Sequence, residues 1–551
     1  MWDKLRCKDK EEYKRLILAF ASLSAMFSQK AEADQDDVIP CPIINSKFQE
    51  TAFQKAFHAV SEDIGNTSYD ASVKLEAPDG TVLKFLVGIK TFGIGSGDQK
   101  IAQFKAMHDD WSALLDEIKA NASNEDGSSR SADEINRINQ PLYLKLAKEI
   151  AILRNERIVS SEANLRGFKV RAGDPAVEAV YHVLMPSKKG DNPKIFVGET
   201  AYQKIAIDRI QIIGCTNEKN PTNFCFHDGF HRYKFTAADS QLLMAFQNRE
   251  IVVDSWDVKY AEDAYALFSQ IATHVYGPKV GTANAISTGG AMMAASAKAG
   301  YEAPRITESY SWFIPIERYS GFNSFFGVGS KLSLKDRPRV VEQLVHNYCA
   351  LIDDATLQKE KSLLLSYLTE PASSQAEKRQ KEEDRQTIVG IAESTKNPTF
   401  LADVRKLVFR PADEMYIPIP NSRVFHESHP DFFAPGAGEF VERSSKLKNP
   451  KEKCAFNLVF EPSGDAMRSF ITQDNGKAIE SYEKQTYLGK WLKNEVFRLK
   501  DYEPVTFHKL QEIGLNGMRL YKIAGDPNVH LLFIEIDPHN LPEDFVAPGR
   551  N

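Results

Sequence analysis

The stretch CAFNLVFEPSGDAMRSFITQDNGKAIESYEKQTYLGKWLKNEV, residues 454–496, decides how the C-terminal part of the chain folds. Its pattern predicts a strand, a turn at residues 462–464, a second strand, a polar loop and a helix. Four hydrogen-bonding side chains surround the glycine of the loop: Gln473, Asp474, Asn475 and Lys477. A loop of this composition either lies in solvent or binds a partner, and the flanking sequence bears on that choice.

The segments on either side continue the alternation of strands and polar loops. DEMYIPIPNSRVFHESHPDFF, residues 413–433, begins like a strand and becomes a polar arm interrupted by prolines. VTFHKLQEIGLNGMRLYKIAG and VHLLFIEI follow at residues 505–525 and 529–536. Strands that alternate with one short helix predict a small, partly open β-barrel over residues 400–551.

Three motifs in this order carry a resemblance: YIPIPNSRVFHES, then QDNGKAI with LGKWL, then LYKI. Together they resemble the C-terminal DNA-binding domain of some type II restriction endonucleases, which has the plant-B3-like pseudobarrel fold. The resemblance implies two arms, at residues 420–433 and 472–487, that grip the major groove. A weaker resemblance to similar restriction enzymes extends to FHDGFHRYKFTAADSQLLMAF at residues 226–246.

The resemblance also implies which residues contact DNA. Asn421, Arg423 and His426 would act from the first arm, and the second arm would use Gln473, Asp474, Asn475 and Lys477. Asn and Gln suit adenine, Arg and Lys suit guanine, and Asp accepts a hydrogen bond from cytosine. Phosphate contacts are expected from four nearby lysines: Lys446, Lys448, Lys451 and Lys453. The alternative is that both arms are polar loops in solvent.

The N-terminal part offers a candidate catalytic hairpin. A helical pattern at residues 45–65 carries Glu50, and SYDASVKLEA and TVLKFLVGIKTF then predict two strands carrying Asp70 and Lys90. Nucleases of the PD-(D/E)XK type place an acid on one strand and an acid-x-Lys on the next. Their carboxylates hold Mg²⁺, and the lysine stabilises charge at the attacked phosphate. We therefore expect Asp70, Lys90 and Glu50 to be catalytic, with Asp70 and Glu50 as metal ligands.

One element of this nuclease pattern is missing, because Gly88 stands where the second acid is expected. Glu76, Asp98 and Gln99 are the candidates for its replacement, and the sequence does not choose between them. The alternative is that Asp70 and Lys90 are ordinary polar residues of a hairpin. The loop KTFGIGSGDQK, which follows the second strand, has the glycine content of a phosphate-binding loop but lacks the ending of a P-loop.

A second cluster, Cys215, Cys225, His227 and His231, contains zinc-ligand residue types. Its spacing is not that of a familiar zinc finger, so we expect a strand, a loop and a strand with buried cysteines instead. The sequence contains neither the His-x-Lys motif of phospholipase-D-type nucleases, nor the Gly-x-Ser-x-Gly motif of α/β-hydrolases, nor the His-Glu-x-x-His motif of zinc proteases.

Composition limits the remaining choices. The chain has 551 residues, a net charge of −6 and six cysteines without a C-x-x-C pair, so a disulfide framework is not expected. A DNA-binding chain of this charge must concentrate its basic residues locally. Long uninterrupted apolar runs are absent from the sequence, so no membrane association is expected.

These observations predict an α+β multidomain protein. Residues 1–285 would form a restriction-endonuclease-like α/β core, residues 286–399 a helical connector, and residues 400–551 the B3-like β-pseudobarrel. The expected function is a Mg²⁺-dependent, site-specific type II restriction endonuclease that acts on double-stranded DNA as a homodimer in a bacterial or archaeal cytoplasm. The alternative is a sequence-specific DNA-binding protein whose nuclease core is degenerate and does not cleave.

Overall fold

The computed structural model describes most of the chain, in sixteen segments. They are residues 1–24, 39–61, 69–77, 80–124, 126, 128–170, 173–276, 305–314, 316, 332–409, 413, 415–448, 454–472, 474–482, 485–503 and 505–547. Contacts divide the chain into two units. Unit 1 comprises Met1–Arg166 and Arg171–Arg305, and unit 2 comprises Gly167–Val170 and Ile306–Asn551.

Unit 1 contains five described helices and two sheets. Its helices are α1 (Cys7–Ala21), α2 (Ser46–Phe57), α3 (His108–Ala120), α4 (Ala132–Arg166) and α5 (Ala264–Tyr276). Its strands are β1 (Val60–Ser61), β2 (Ala71–Glu76), β3 (Val82–Thr91), β4 (Gln99–Gln103), β5 (Glu178–Pro186), β6 (Lys194–Ala201), β7 (Gln211–Cys215), β8 (Phe224–His227), β9 (Arg232–Thr236), β10 (Gln241–Met244) and β11 (Val252–Asp257). The sheet orders are β1-β2-β3-β5-β6-β11 and β4-β10-β9-β8-β7.

Strand β3 lies in the middle of the larger sheet, and both of its faces are buried. Val87 and Ile89 belong to a core with Phe53 of α2, whereas Leu86 belongs to a second core with Tyr181 of β5. This is the period of two expected for a strand, and it explains the nearly continuous apolar run of β3. Strand β3 pairs antiparallel with β2 and parallel with β5.

The segment SGDQKIAQFKAMHDDWSALLDEI, residues 96–118, has a helical pattern in sequence but forms a strand before its helix. Residues Gln99–Gln103 form strand β4, which pairs antiparallel with β10, and helix α3 begins only at His108. Pairing with a distant strand and burial of Ile101 outweigh the local helical pattern here.

Unit 2 combines a seven-stranded sheet with helices. Its helices are α6 (Arg337–Tyr348), α7 (Asp354–Thr369), α8 (Gln375–Ser394), α9 (Pro398–Val408), α10 (Ser422–Ser428), α11 (Gln485–Trp491) and α12 (Phe507–Ile513). Its strands are β12 (Ile306–Phe313), β13 (Ile417–Pro418), β14 (Phe456–Glu461), β15 (Asp465–Thr472), β16 (Ala478–Ser481), β17 (Gly517–Ile523) and β18 (Val529–Ile534). The strand order is β12-β17-β18-β14-β15-β16-β13, and the β14–β18 pair is parallel.

Residues predicted as a helical connector include a strand of this sheet. Strand β12 pairs antiparallel with β17, and its Trp312 lies in one core with Leu458 and Leu531 of the sheet. Helices α6 to α9 follow β12 in sequence and share a separate core that includes Leu364 and Phe400. The four helices therefore interrupt the sequence of unit 2 between its first strand and the remainder of its sheet.

The mixed α and β composition agrees with the predicted fold class. The assignment of a nuclease core to residues 1–285 and of a pseudobarrel to residues 400–551 stays a prediction. Among the described helices, none has both the length and the apolar character needed to cross a membrane.

Candidate functional site

The two polar arms meet at one edge of the sheet of unit 2. Strand β13 pairs with β16, so that Pro418 lies opposite Ala478, and the Ile419 N–H donates to the carbonyl oxygen of Lys477 at 2.9 Å. The first arm therefore starts beside the middle of the second arm. Their proximity was predicted only from the resemblance, and the strand pairing now provides it.

The first arm turns sharply and then forms helix α10. Asn421 adopts a left-handed conformation with φ 47° and ψ 37° at the N-terminus of this helix, and its side chain makes no capping hydrogen bond. Asparagine tolerates this conformation better than most residues. Its exposed amide is therefore available to an external partner.

The second arm has a similar turn. Residues Asp474–Gly476 form a short 3-10 turn in which Asn475 has φ 58°, and Gly476 has φ 64°. Asp474 and Lys477 are exposed, and Asn475 is half-buried. Gln473 lies outside the described residues, so its predicted base contact stays a prediction.

His426 is placed inside the domain and joins the arms. Its side chain is fully buried, and its Nε2 lies 2.8 Å from the carbonyl oxygen of Gly476. Burial lowers the pKa of His426, so the ring is neutral at pH 7 and its Nε2–H donates to Gly476. The predicted outward-facing role for His426 does not match this position, because a buried ring presents no edge to a base.

A third segment contacts both arms. Residues 439–448, which we call the bridging hairpin, fold back on themselves through Val441 N–H to Lys446 O at 2.9 Å and Lys448 N–H to Glu439 O at 2.7 Å. The sequence analysis treated this region only as a source of phosphate-binding lysines. The run ERSSKLK at residues 442–448 was the available signal, since it combines basic and small polar residues.

The bridging hairpin holds the arms through two consecutive carbonyl groups. Ser444 O accepts a hydrogen bond from Nη1 of Arg423 at 3.0 Å, and Ser445 O accepts one from the Asn475 N–H at 2.8 Å. The Ser445 hydroxyl also lies 3.3 Å from Oδ1 of Asp474. The two arms and the hairpin thus form one connected polar surface.

Arg423 is engaged on this surface. Its Nε donates to Oε1 of Glu427 at 2.8 Å, and its guanidinium lies 4.9 Å from the ring centre of Phe440. Together with the hydrogen bond to Ser444, these contacts fix the side chain. A base contact by Arg423 stays a prediction and would require some of these interactions to be exchanged.

In unit 1 the structure brings Asp70 and Lys90 together. Oδ2 of Asp70 lies 3.8 Å from Nζ of Lys90 and accepts a hydrogen bond from the Ile89 N–H at 2.5 Å. The two side chains are 24% and 28% exposed, so a substrate could reach both. An acid immediately before β2 and a lysine on β3 therefore lie close together, as the sequence predicted.

The position of the missing acid is filled by aromatic rings. A Cβ atom on Gly88 would lie 2.9 Å from Cδ1 of Tyr181 and 3.1 Å from Cε2 of Tyr202. The two tyrosine rings are stacked with centroids 4.0 Å apart, and the guanidinium of Arg154 lies 4.9 Å from the Tyr202 ring. A carboxylate side chain at residue 88 would meet this packed cluster.

The other predicted acids lie elsewhere. Glu50 pairs with Lys47 at 2.8 Å within α2, which packs on the sheet face of Val87 and Ile89. Glu76 is at the opposite end of β2 from Asp70, roughly 20 Å away at about 3.3 Å per residue. Asp98 pairs with Arg232 at 3.1 Å, and the Gln99 side chain donates to Gly97 O at 2.9 Å.

The glycine-rich loop after β3 lines a cleft. The cleft has a volume of about 320 Å³ and lies between residues 94–98 and 245–250. The Asn248 side chain donates to Ile94 O at 3.0 Å and to Ser96 O at 2.8 Å, which fixes the loop. The predicted phosphate-binding role of this loop stays a prediction.

The cysteine–histidine cluster forms part of the five-stranded sheet. Cys215 ends β7, and Cys225 and His227 lie on β8, as expected for a strand, a loop and a strand. Burial raises the pKa of both thiols, which disfavours the thiolate form that binds metals. No group of three or more potential metal ligands occurs among the residues that the structure describes.

Comparison with known proteins identifies the C-terminal part of the chain. Residues 412–524 match the family described as the NgoFVII C-terminal B3-like DNA-binding domain. The matched range contains both arms and the bridging hairpin, whereas strands β12 and β18 lie outside it. The chain matches no curated protein. The C-terminal part of this protein is therefore similar to a B3-like DNA-binding domain of a restriction-enzyme family.

Proposed function

We propose that this protein is a site-specific type II restriction endonuclease that hydrolyses phosphodiester bonds in double-stranded DNA. The match of residues 412–524 to a restriction-enzyme DNA-binding domain is the observation that carries the proposal. The connected surface of arms and bridging hairpin supports it, because polar side chains there converge at one edge of the sheet.

Sequence recognition is proposed for four side chains of the arms: the exposed Asn421, Asp474 and Lys477 and the half-buried Asn475. Asn421 and Asn475 are suited to adenine, Lys477 to guanine, and Asp474 to cytosine. Each good bidentate contact contributes about 1–3 kcal/mol of discrimination against the wrong base. Gln473 and Arg423 are proposed as further base contacts, and His426 supports the arms from inside.

Cleavage is proposed at Asp70 and Lys90. A water oxygen would form a bond to phosphorus while the bond from phosphorus to the leaving sugar oxygen breaks, and that oxygen takes a proton. The Lys90 ammonium group would stabilise the negative charge that develops on the phosphate oxygens. Mg²⁺ supplies Lewis-acid polarisation of the phosphate when bound.

We propose Asp70 as the main protein ligand of Mg²⁺. Mg²⁺ is often held by one or two carboxylates together with water and substrate phosphate oxygens. Asp70 offers Oδ1 for this purpose, because its Oδ2 already interacts with Ile89 and Lys90. Glu50 is proposed as a further ligand or as a group that supports Asp70, and it would have to leave its pair with Lys47.

A second candidate function is a sequence-specific DNA-binding protein that does not cleave. The observation in its favour is the packing of Tyr181 and Tyr202 against Gly88, since the rings occupy the place of the second acid. This candidate shares the DNA-binding domain and differs only in unit 1.

A cleavage assay with supercoiled plasmid, Mg²⁺ and several unmethylated DNAs separates the two functions. The endonuclease proposal expects nicked or linear product, loss of product in Asp70→Asn, and a decrease of roughly 10²–10³-fold in Lys90→Met. Both variants should bind DNA as the unaltered protein does. Lys84→Met, on the same strand as Lys90, is the matched control. Absence of product from every DNA would favour the non-cleaving function.

We further propose that the protein acts as a homodimer in a bacterial or archaeal cytoplasm, because cutting two strands calls for two active sites. Sedimentation of the protein with and without duplex DNA tests the oligomeric state. A single protomer on the DNA during double-strand cleavage would contradict it.

A further inference from the structure

We propose that the bridging hairpin, residues 439–448, is a third DNA-contacting element. Its backbone would set the spacing of the two arms, and its Arg443 and Lys446 would bind phosphate groups of the duplex. The inference rests on the proposed DNA binding by the C-terminal domain and is independent of cleavage.

The bridging hairpin lies between the two arms. Ser444 and Ser445 are adjacent, and their carbonyl groups accept hydrogen bonds from Arg423 and Asn475 at 3.0 and 2.8 Å. The residue that binds the first arm and the residue that binds the second arm are therefore neighbours in sequence. A base-reading pair of arms needs such a fixed separation, because a bidentate contact tolerates little displacement.

Arg443 of the bridging hairpin has an unusual backbone conformation. This residue is exposed and adopts a left-handed backbone with φ 56°. Non-glycine residues pay a cost in this region, so glycine or asparagine would suit the turn better. A long cationic side chain at such a position indicates a role for the guanidinium outside the fold.

The bridging hairpin carries positive charge that is not neutralised within the described residues. Arg443 and Lys446 are both exposed and form no ion pair among the described residues, whereas Lys448 pairs with Glu439 at 2.9 Å. The exposed carboxylate of Glu442 opposes phosphate binding, but two free cations outweigh it. The tip of the hairpin is therefore a local positive site in a protein whose net charge is −6.

The test measures how binding depends on salt. The full chain is titrated in EDTA against a short fluorescent duplex of random sequence, and anisotropy is recorded over a range of salt concentrations. Each lost phosphate contact should reduce the slope of log K against log salt by about 0.9. We expect this reduction in Arg443→Gly and in Lys446→Gln. Lys359→Gln, at an exposed position of helix α7, is the matched control and should leave the slope unchanged.

Arg443→Gly also separates a contact from a folding defect. The substitution relieves the left-handed strain, so the thermal transition should stay in place or rise while binding weakens. Unchanged slopes in both variants, with normal binding by the unaltered protein, would overturn this inference alone. Failure of the unaltered protein to bind any duplex at low salt would overturn the DNA-binding proposal with it. Binding without cleavage would leave the inference standing and overturn only the endonuclease activity.

Discussion

Nε2 of His426 lies 2.8 Å from the carbonyl oxygen of Gly476, so the two arms of unit 2 meet around a buried histidine. The helix of the first arm supplies the donor, and the left-handed turn of the second arm supplies the acceptor. The loop glycine is also close to the ring itself, because a Cβ atom there would lie 2.6 Å from Nε2 of His426. This contact makes Gly476 a specific requirement of the interface.

Gly476→Ala should therefore destabilise unit 2 and weaken DNA binding. The positive φ alone costs an alanine roughly 1–2 kcal/mol, and displacement of His426 adds to that cost. Gly525→Ala is the matched control, because Gly525 has φ 80° and nothing within 4 Å of the added Cβ. Urea denaturation gives the two free energies of unfolding. Equal losses in both variants would show that the contact with His426 contributes nothing.

His426 should make the free energy of unfolding decrease at acidic pH. Burial lowers the pKa of His426 in the folded protein, so the unfolded chain takes up a proton first as the pH falls below about 6.5. Stability from this residue is therefore present above about pH 6.5 and lost as the pH falls through the lowered folded-state pKa. His426→Gln should remove this dependence, measured as the difference in unfolding free energy between pH 7.5 and 5. A variant with the same pH profile as the unaltered protein would contradict this account.

His530 should have the opposite effect. Burial disfavours its charged form, but Oε1 of Glu461 at 3.0 Å and Oδ2 of Asp526 at 3.2 Å outweigh burial and raise the pKa. Its contribution is complete below about pH 6.5 and is lost as the pH rises through the raised folded-state pKa. His530→Gln should flatten the stability profile on the alkaline side, whereas His426→Gln flattens it on the acid side. NMR titration of the two rings checks the two directions independently.

The strand pairs β2–β3 and β14–β15 could be predicted from sequence because the two strands of each pair are close together in the chain. The turn at residues 462–464 separates β14 from β15 as predicted, and Asp70, which immediately precedes β2, lies 3.8 Å from Lys90 of β3. In each case the strand pattern and the turn lie within about 25 residues, so short-range pairing decides the structure.

Non-local features could not be read in the same way. Strand β12 pairs with β17, about 200 residues later, and no local pattern identifies that partner. No sequence pattern predicted helix α4, which runs for 35 residues and contains Pro141. The bridging hairpin contacts the arms through the carbonyl groups of Ser444 and Ser445, and a backbone carbonyl carries no sequence signature.

Substitutions at Gly88 test the proposed nuclease core. Gly88→Ala should destabilise unit 1 by about 1–3 kcal/mol, because the new Cβ would press on Tyr181 and Tyr202. Gly88→Asp, which restores the acid of the nuclease pattern, should be more destabilising and should not increase cleavage. Gly97→Ala is the control, since nothing lies within 4 Å of its Cβ. A more active Gly88→Asp enzyme would show that the rings can move aside for a metal ligand.

The buried side chain of Glu360 should make the stability of helices α6 to α9 depend on pH. This side chain is 1% exposed, and neither carboxyl oxygen has a hydrogen-bond partner within the described part of the chain. Burial raises the pKa of Glu360 to about 8, so the carboxyl is neutral in the folded protein at pH 7. Because the unfolded chain ionises near pH 4.5, stability should fall as the pH rises from that value through about 8.

Glu360→Met should remove this loss. Methionine has a similar length and no polar group to desolvate, so a gain of about 1–3 kcal/mol is expected at pH 9, with a smaller gain at pH 5. Lys359→Met changes the exposed neighbour on the same helix and serves as the control. Denaturation at the two pH values, followed by a probe in helices α6 to α9, measures the effect. A destabilising effect of Glu360→Met at pH 9 would contradict this prediction. It would mean that another group of the folded protein binds the Glu360 carboxylate and keeps it charged.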